Sequence, residues 1–481
     1  MRKLIVLLAL CAMTGAVVAQ DAAPTPAQRL KALEKRLEKV EGEAAELRHE
    51  IDALKKQMGN GEPPEGVLWT VDMKSDTKGS GAIADLDGDG TPEVVFGSYF
   101  GEQHVFCVNG ATGKVVWKHK SDRGPLDASI AIDDLDGDGK LEVFSADSSS
   151  GHFYDLAPDG TLNWKFKLPN STDSPVAIAD LDGDGTKEFV IGSMWEGKGE
   201  GAVTCYSADG HKQLWQRYFR GCIQSEPVLV DLNADKILDV IVTTWRGDNC
   251  VHALNGADGT DIWKFETAGD SKSMGMYHGV ALSGDQKTVF VTTCQGDVYA
   301  ISAKGEEKWH KHYDDYLFSP ITCADVDGDK KEELVFGGHK LYCIAAQDGF
   351  ELWKKDMDRL LDRGVVVTDV DGDRDMDVLY ADHLALVARD GKTGEETFRF
   401  DARIKDDSMW EDISSAVLVA DLDGDGLTEA FFINGVGTST DEFKNNYGRA
   451  FAVHLKGKGP EWTTFRSNLR RTGNPAHNPR K

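Results

Sequence analysis

Seven tryptophans recur along the chain at near-constant intervals. Trp69, Trp117, Trp164, Trp215, Trp263, Trp309 and Trp353 are separated by 48, 47, 51, 48, 46 and 44 residues, and Phe398 stands 45 further on. A fixed period of this length restricts a chain to stacked or ring-shaped repeat architectures. Between successive members lies one pattern: an apolar strand ending in an acidic loop, a second strand such as Glu93 to Gly97, a third such as His104 to Val108, a glycine turn, and the tryptophan strand. Four short strands in a unit of roughly 45 to 50 residues is the period of a propeller blade.

The count of strands decides how the ring closes. Eight acidic-loop strands, the last ending at Asp421, are followed by only seven tryptophan-type strands, and the missing one, Val67 to Asp72 with Trp69, precedes the first unit. The expected fold is therefore all-β, an eight-bladed β-propeller over residues 67–456, with the N-terminal strand completing the blade that begins near Ser414. Closure of this kind removes the two unpaired edges of an open array.

The loops carry the chemistry. The first reads Asp85, Asp87, Asp89, Thr91 and Glu93 at positions 1, 3, 5, 7 and 9. Carboxylates at 1, 3, 5 and 9 with a backbone carbonyl at 7 suit an oxygen-ligated Ca²⁺. The same slots hold Asp134, Asp136, Asp138, Lys140 and Glu142, then Asp180, Asp182, Asp184, Thr186 and Glu188. They recur as Asp325, Asp327, Asp329, Lys331 and Glu333, as Asp369, Asp371, Asp373, Asp375 and Asp377, and as Asp421, Asp423, Asp425, Leu427 and Glu429. A weaker copy has Asp231, Asn233, Asp235, Ile237 and Asp239, with Ala234 where the others have glycine, and the fifth unit, Leu282 to Val289, has lost the pattern. Up to seven Ca²⁺ sites follow.

An EF-hand would need a glutamate at position 12 and flanking helices. Position 12 is instead Phe96, Ser145, Ile191, Val242, Phe336, Tyr380 or Phe432, all in strand-like surroundings. Isolated Asp/Gly loops are also good turns, but seven copies of one carboxylate spacing need a cation. At positions 1, 3, 5 and 9 the seven loops, with Asn233 in one acidic slot, hold 27 carboxylates, equal in number to the formal net charge of −27. Such a chain repels a nucleic-acid backbone.

Ahead of the ring, residues 1–19 read as a signal peptide: Arg2 and Lys3 precede an apolar run, with Val17 and Ala19 before the cleavage point. The run is too short to span a bilayer, so the chain is expected to be exported, periplasmic or extracellular, with no transmembrane segment. Residues 24–58 follow a heptad seam of Leu33, Leu37, Val40, Ala44, Leu47, Ile51, Leu54 and Met58. A strict two-in-seven stripe is that of a coiled coil, which implies a homo-oligomer. Residues 59–66 form a linker and 457–481 a C-terminal tail. Seven cysteines remain after export, an odd number, and Cys107, Cys205 and Cys343 occupy equivalent places in the repeats, which favours buried packing over bridging.

Phe96-Gly97, Ile191-Gly192 and Phe336-Gly337 after their acidic loops resemble FG-GAP/VCBS repeats, the calcium-loop blades of integrin α-subunit heads. Ala111-Thr112-Gly113 with Trp117, Ala257-Asp258-Gly259 with Trp263, and Gln347-Asp348-Gly349 with Trp353 resemble PQQ-like propeller repeats. The tail from Trp462 to Gly473 is similar to the terminal segment of secreted bacterial propellers of this kind. The resemblance covers residues 67–475 and implies the fold; it leaves the function open.

In a propeller the one-to-two and three-to-four loops share a face, so the opposite face is left to the longer loops. There three tryptophans outside the ladder appear: Trp195, Trp245 beside Arg246, and Trp410, with Tyr277 and His278, and with Arg220, Asp314, Asp315, Tyr316, Arg359 and Arg363. Aromatics and arginines on loops make a candidate ligand face for a protein or glycan. His104, His152 and His383 are read as equivalent strand starts in separate blades, and His310 and His312 as a short pair.

No GxSxG, HExxH, P-loop or dinucleotide fingerprint occurs. Three functional classes remain. The first is a non-catalytic binding scaffold stiffened by Ca²⁺. The second, by resemblance to calcium-loaded eight-bladed propellers, is a polysaccharide lyase of the rhamnogalacturonan-lyase type. The third is a PQQ quinoprotein dehydrogenase, whose adjacent cysteine pair this chain lacks.

Overall fold

The computed structural model describes residues 66–458, apart from 127, 195–199, 211, 270–273, 406–409 and 439–442. The signal-peptide and coiled-coil expectations, and Trp195, lie outside the described residues.

Eight antiparallel sheets follow one another, seven of them four-stranded and built in chain order. Blade 1 is Ala82–Ala84, Glu93–Gly97, His104–Asn109 and Val115–Lys120, and blade 5 is Ala281–Leu282, Thr288–Thr292, Asp297–Ser302 and Glu307–His312; from first strand to last, blade 2 runs from Ala131–Asp133 to Leu162–Lys167, blade 3 from Ala177–Ala179 to Gln213–Arg220, blade 4 from Val228–Val230 to Asp261–Glu266, blade 6 from Thr322–Ala324 to Glu351–Asp356 and blade 7 from Val366–Thr368 to Glu396–Asp401. The last, blade 8, is five-stranded: it takes Leu418–Ala420, Glu429–Val436 and Tyr447–His454 from the end of the chain, Val67–Met73 from its beginning, and the short Asp412–Ile413, which pairs with Glu429–Val436. Trp69 pairs with Ala452 and Asp72 with Arg449, so the ring closes as expected.

The strands read as apolar runs because each blade is covered on both faces. Glu93–Gly97, Glu142–Ala146 and Asp239–Thr243 are buried at every residue. Outer strands alternate instead, as Val115–Lys120 and Leu162–Lys167 do, with one side toward solvent. The core is correspondingly divided into eight clusters, each lying between two consecutive blades. One joins Phe431 and Ala450 of blade 8 to Phe96 and Phe106 of blade 1 across the closure.

The tryptophans latch neighbouring blades. Trp117 Nε1 donates to Pro158 O at 2.8 Å, Trp215 to Gly256 O at 2.7 Å, Trp263 to Ala303 O at 2.9 Å, Trp309 to Ala346 O at 3.1 Å and Trp353 to Gly391 O at 2.7 Å. Each acceptor lies in the three-to-four turn of the next blade. That turn keeps a left-handed glycine under the indole, such as Gly160 at φ 81° beneath Trp117. Phe398, at the equivalent place in blade 7, packs apolarly against the blade 7–8 cluster and has no N–H to donate.

All seven described cysteines are free thiols; Cys107, Cys205 and Cys343 lie opposite Trp117, Trp215 and Trp353 in the register. Among the described residues no helix is long and apolar enough to cross a membrane.

Candidate functional site

Two places collect chemistry: the acidic loops on one face and a funnel at the axis on the other.

Each acidic loop folds around its own carboxylates. In blade 1, Asp85 Oδ1 accepts from Gly88 N at 2.8 Å and its Oδ2 from Gly90 N at 3.0 Å; Asp87 accepts from Asp89 N and Asp89 from Thr91 N; Glu93 Oε2 accepts from Leu86 N. The same bonds recur around Asp134, Asp180, Asp325 and Asp421. The backbone turns left-handed at positions 4 and 6, where glycine is natural. The degenerate copy keeps this path with Ala234 at φ 65° and Lys236 at φ 74°, and donates Ala234 N and Lys236 N to Asp231. Holding non-glycine residues there costs about 1–2 kcal/mol each, so the loop shape is enforced by its acidic frame. Blade 5 lacks that frame, and Glu332 reaches in to accept from Gly284 N.

The position-9 carboxylates are buried, Glu429 and Asp239 completely. Burial, reinforced by the flanking aspartates, pushes Glu142, Glu188 and Glu333 up to about 7 and Asp239 and Asp377 up to about 6. Carboxylates crowded to this degree lower their energy by taking a proton or a cation. In loop 2 one oxygen from each of Asp134, Asp136, Asp138 and Glu142 lies within 4.8 Å of the others, and loops 1 and 3 bring together Asp85, Asp87 and Glu93 and Asp180, Asp182 and Asp184. An all-oxygen, mostly anionic donor set of this kind fits a hard divalent cation. In blade 8, His454 Nδ1 also meets Glu429 Oε1 at 2.9 Å, a neighbour the loop spacing could not reveal.

The loops and the latch turns share a face: Gly110 N donates to Pro92 O, Ala346 N to Glu332 O and Gly391 N to Met376 O. On the other face a cavity of 580 Å³ opens at the axis, lined from blades 1 to 7. Its wall departs from the repeat. Three residues before the inner strand, Ser174, Ser225, Ser319 and Ser415 each accept a backbone N–H of the second strand, from Gly192, Thr243, Gly337 and Ile433. At that same place blade 5 has His278 and blade 7 has Arg363.

Both are tied into carboxylates. His278 Nδ1 lies 3.3 Å from Glu226 Oε1, whose other oxygen accepts from Gly279 N. Arg363 Nε donates to Ser414 O at 3.1 Å and lies 3.6 Å from Asp362 Oδ2. Burial opposes the Arg363 charge, yet Asp362, Tyr277, Glu226 and Asp173 hold its pKa above the usual value. Burial pushes Asp173 up to about 6 against the pull of Arg363, and its carboxylate accepts from Gln224 Nε2 at 2.6 Å.

An aromatic wall completes the funnel. Tyr277 stacks on Phe318 at 4.7 Å and meets Trp245 edge-on at 5.3 Å, and the Arg246 guanidinium lies 4.2 Å from the Trp245 ring centre. Among the described residues nothing hydrogen-bonds the buried Trp245 Nε1, Gln224 Oε1 or Asp362 Oδ1. Buried groups left open in this way ask for an explanation, and a polar ligand supplies one.

Of the residues singled out from sequence, Trp245, Tyr277, His278 and Arg363 converge on the funnel. Trp410 is 74 % exposed and does not line it. Arg359 turns to Asp412, 2.8 Å away, and Asp315 is engaged by His339 and Tyr342 beside a different cavity. His104 and His152 begin their strands, whereas His383 sits in the turn at φ 57° before Ala385–Asp390, so the three are not equivalent. Sequence reading missed Asp173, Gln224, Glu226 and Phe318. The signal that could have found them is the break in the serine column, visible once the inner strands are aligned.

Residues 85–145 and 134–191 match the FG-GAP-like repeat family model. No curated protein sequence matches the chain. Among solved structures, Sqt1 of Saccharomyces cerevisiae is 14% identical with a TM-score of 0.59, over 81% of this chain and 99% of that one. A europium-containing methanol dehydrogenase is 10% identical with a TM-score of 0.59, over 81% and 93%. BamB from Moraxella catarrhalis is 13% identical with a TM-score of 0.50, over 80% and 96%. At these identities the likeness is one of fold: an eight-bladed propeller that carries FG-GAP-like repeats and has PQQ-type propellers among its structural neighbours.

Proposed function

We propose that the protein is an exported, calcium-braced β-propeller that acts as a non-catalytic binding scaffold and seats a glycan in its axial funnel. The observation that carries the reading is the funnel's departure from eightfold repetition: Arg363 and His278 stand where four blades have a strand-capping serine, beside the aromatic wall of Trp245, Tyr277 and Phe318. A ring that binds nothing at its axis needs no such departure. Flat aromatic faces cover the apolar side of a sugar ring, while the open Trp245 N–H and the oxygens of Gln224 and Asp362 suit its hydroxyls.

Calcium in the seven loops would stiffen the rim. With free calcium at about ten times each dissociation constant, linkage contributes roughly 1.4 kcal/mol per ion, about 10 kcal/mol in all. The heptads of residues 24–58 would join several rings into a homo-oligomer and raise avidity for a repetitive polymer. Export to the periplasm or beyond agrees with the N-terminal signal.

The test is a glycan array in calcium with the wild type, Trp245→Ala and Arg363→Ser, the last restoring the residue of the neighbouring blades. Saccharide binding lost in both variants supports the proposal; absence of binding, or binding indifferent to both, overturns it. A second reading, a polysaccharide lyase, is favoured by one observation: Arg363, His278 and Tyr277 share the funnel. Release of unsaturated uronide ends from pectic polymers, seen as ultraviolet absorbance, would replace the scaffold reading. Sedimentation with and without residues 20–60 tests the oligomer, and an unchanged mass removes it.

A further inference from the structure

Blade 5 is the one that has lost its acidic loop, and its outer edge has changed in a coordinated way. The residue after the latch tryptophan is Lys118, Lys165, Lys264 and Lys354 in four other blades, and Arg399 follows Phe398; in blade 5 it is His310. Two residues on, His312 pairs in register with Asp297, where other blades pair His104 with Lys120, His152 with Lys167 and Lys340 with Asp356.

Strand alternation puts His310 and His312 on one side, while Lys311 between them lies against Gly349 of blade 6. Their side chains converge on a single atom: His310 Nε2 and His312 Nδ1 are each 2.9 Å from Asp297 Oδ1. The aspartate is only 5% exposed, and its second oxygen is approached by Thr293 Oγ1 at 3.4 Å. The His310 ring is fixed by stacking on Tyr299 at 4.3 Å and 5°. Both histidine side chains remain open to solvent, at 35% and 61%, and His312 also lines a 360 Å³ cavity.

We infer that His310, His312 and Asp297 form a transition-metal site, taking Zn²⁺ or a similar borderline divalent ion, distinct in chemistry from the acidic loops. Two imidazoles and one carboxylate are nitrogen-rich donors that favour such ions over Ca²⁺. A tetrahedral ion with bonds of about 2.0–2.1 Å holds its donor atoms about 3.3 Å apart, so loading widens the two 2.9 Å nitrogen–oxygen distances by a few tenths of an ångström. The ion takes the lone pairs of His310 Nε2 and His312 Nδ1, whose protons pass to the other ring nitrogens, and water fills the remaining position. Thr293 and Tyr299 supply the outer contacts that orient such ligands.

The full chain is titrated with Co²⁺, followed by its visible d–d bands, and with Zn²⁺ in competition, both in excess Ca²⁺ so that the acidic loops are filled. The variants are His310→Lys, which installs the residue of the neighbouring blades, His312→Asn and Asp297→Asn, with His339→Asn as the control. Zinc and cobalt bind to the wild type and the control alike, and each of the three variants weakens binding by about 100-fold or more, since loss of an outer contact alone costs 10–100-fold. No binding in excess calcium, or undiminished affinity in His310→Lys, overturns the inference.

Discussion

Trp69 Nε1 donates to the carbonyl oxygen of Gly110 at 2.5 Å, joining the first strand of the ring, which sits in blade 8, to the last turn of blade 1. The bond repeats the latch made between blades 1 and 2, so the ring closes with the same contact that builds it.

Trp69→Phe removes the hydrogen bond and keeps most of the packing, and is expected to cost about 1 kcal/mol. Trp69→Ala empties a site 5% exposed and should cost about 3–5 kcal/mol. Urea unfolding of both variants checks the ratio; equal costs would mean that the hydrogen bond, rather than the buried ring, carries the closure.

Gly113 and Gly88 separate two effects. Both are left-handed, at φ 66° and 77°, but a Cβ on Gly113 would come within 2.7 Å of the Trp69 ring, whereas nothing lies within 4 Å of one on Gly88. Gly88→Ala should cost about 1–2 kcal/mol from backbone strain, and Gly113→Ala a further 1–3 kcal/mol from the clash. Thermal melts of the two variants measure the difference.

Excess EDTA should lower the melting temperature markedly, and calcium should restore it. An unchanged melt would sink the calcium reading. Ala234→Gly relieves the left-handed alanine in the degenerate loop and should stabilise the protein by about 1 kcal/mol, read from the same melts.

Asp173 gives stability a pH dependence. Its folded pKa is raised to about 6 by burial, above the unfolded value of about 3.9. The folded state therefore holds this proton more tightly, and the associated stability is present below pH ~4 and lost as pH rises through about 6. Asp173→Asn should be more stable than the wild type above pH ~6, with the advantage shrinking toward pH ~4. Urea midpoints across that range test it; a constant difference would mean that the carboxyl titrates normally.

The blades, their number, the closing strand and the acidic loops were legible in the residues because each depends on short-range pattern. A loop from Asp85 to Glu93 contains its own donors, acceptors and turn glycines within nine residues, and a strand declares itself by its apolar run. The heptad seam and the export signal remain expectations from the sequence, since they lie outside the described residues. The partner of each latch was not legible: Trp117 faces Pro158 only because blade 2 packs beside blade 1. The funnel was still further from view. Asp173 and Arg363 stand 190 positions apart in the chain, and ring closure places them on one cavity wall where burial and mutual charge reset their chemistry. Local spacing carries no record of such proximity, so Trp245, Tyr277 and His278 could be named as loop residues, while Glu226, Gln224 and Phe318 became visible only when eight sheets met around an axis.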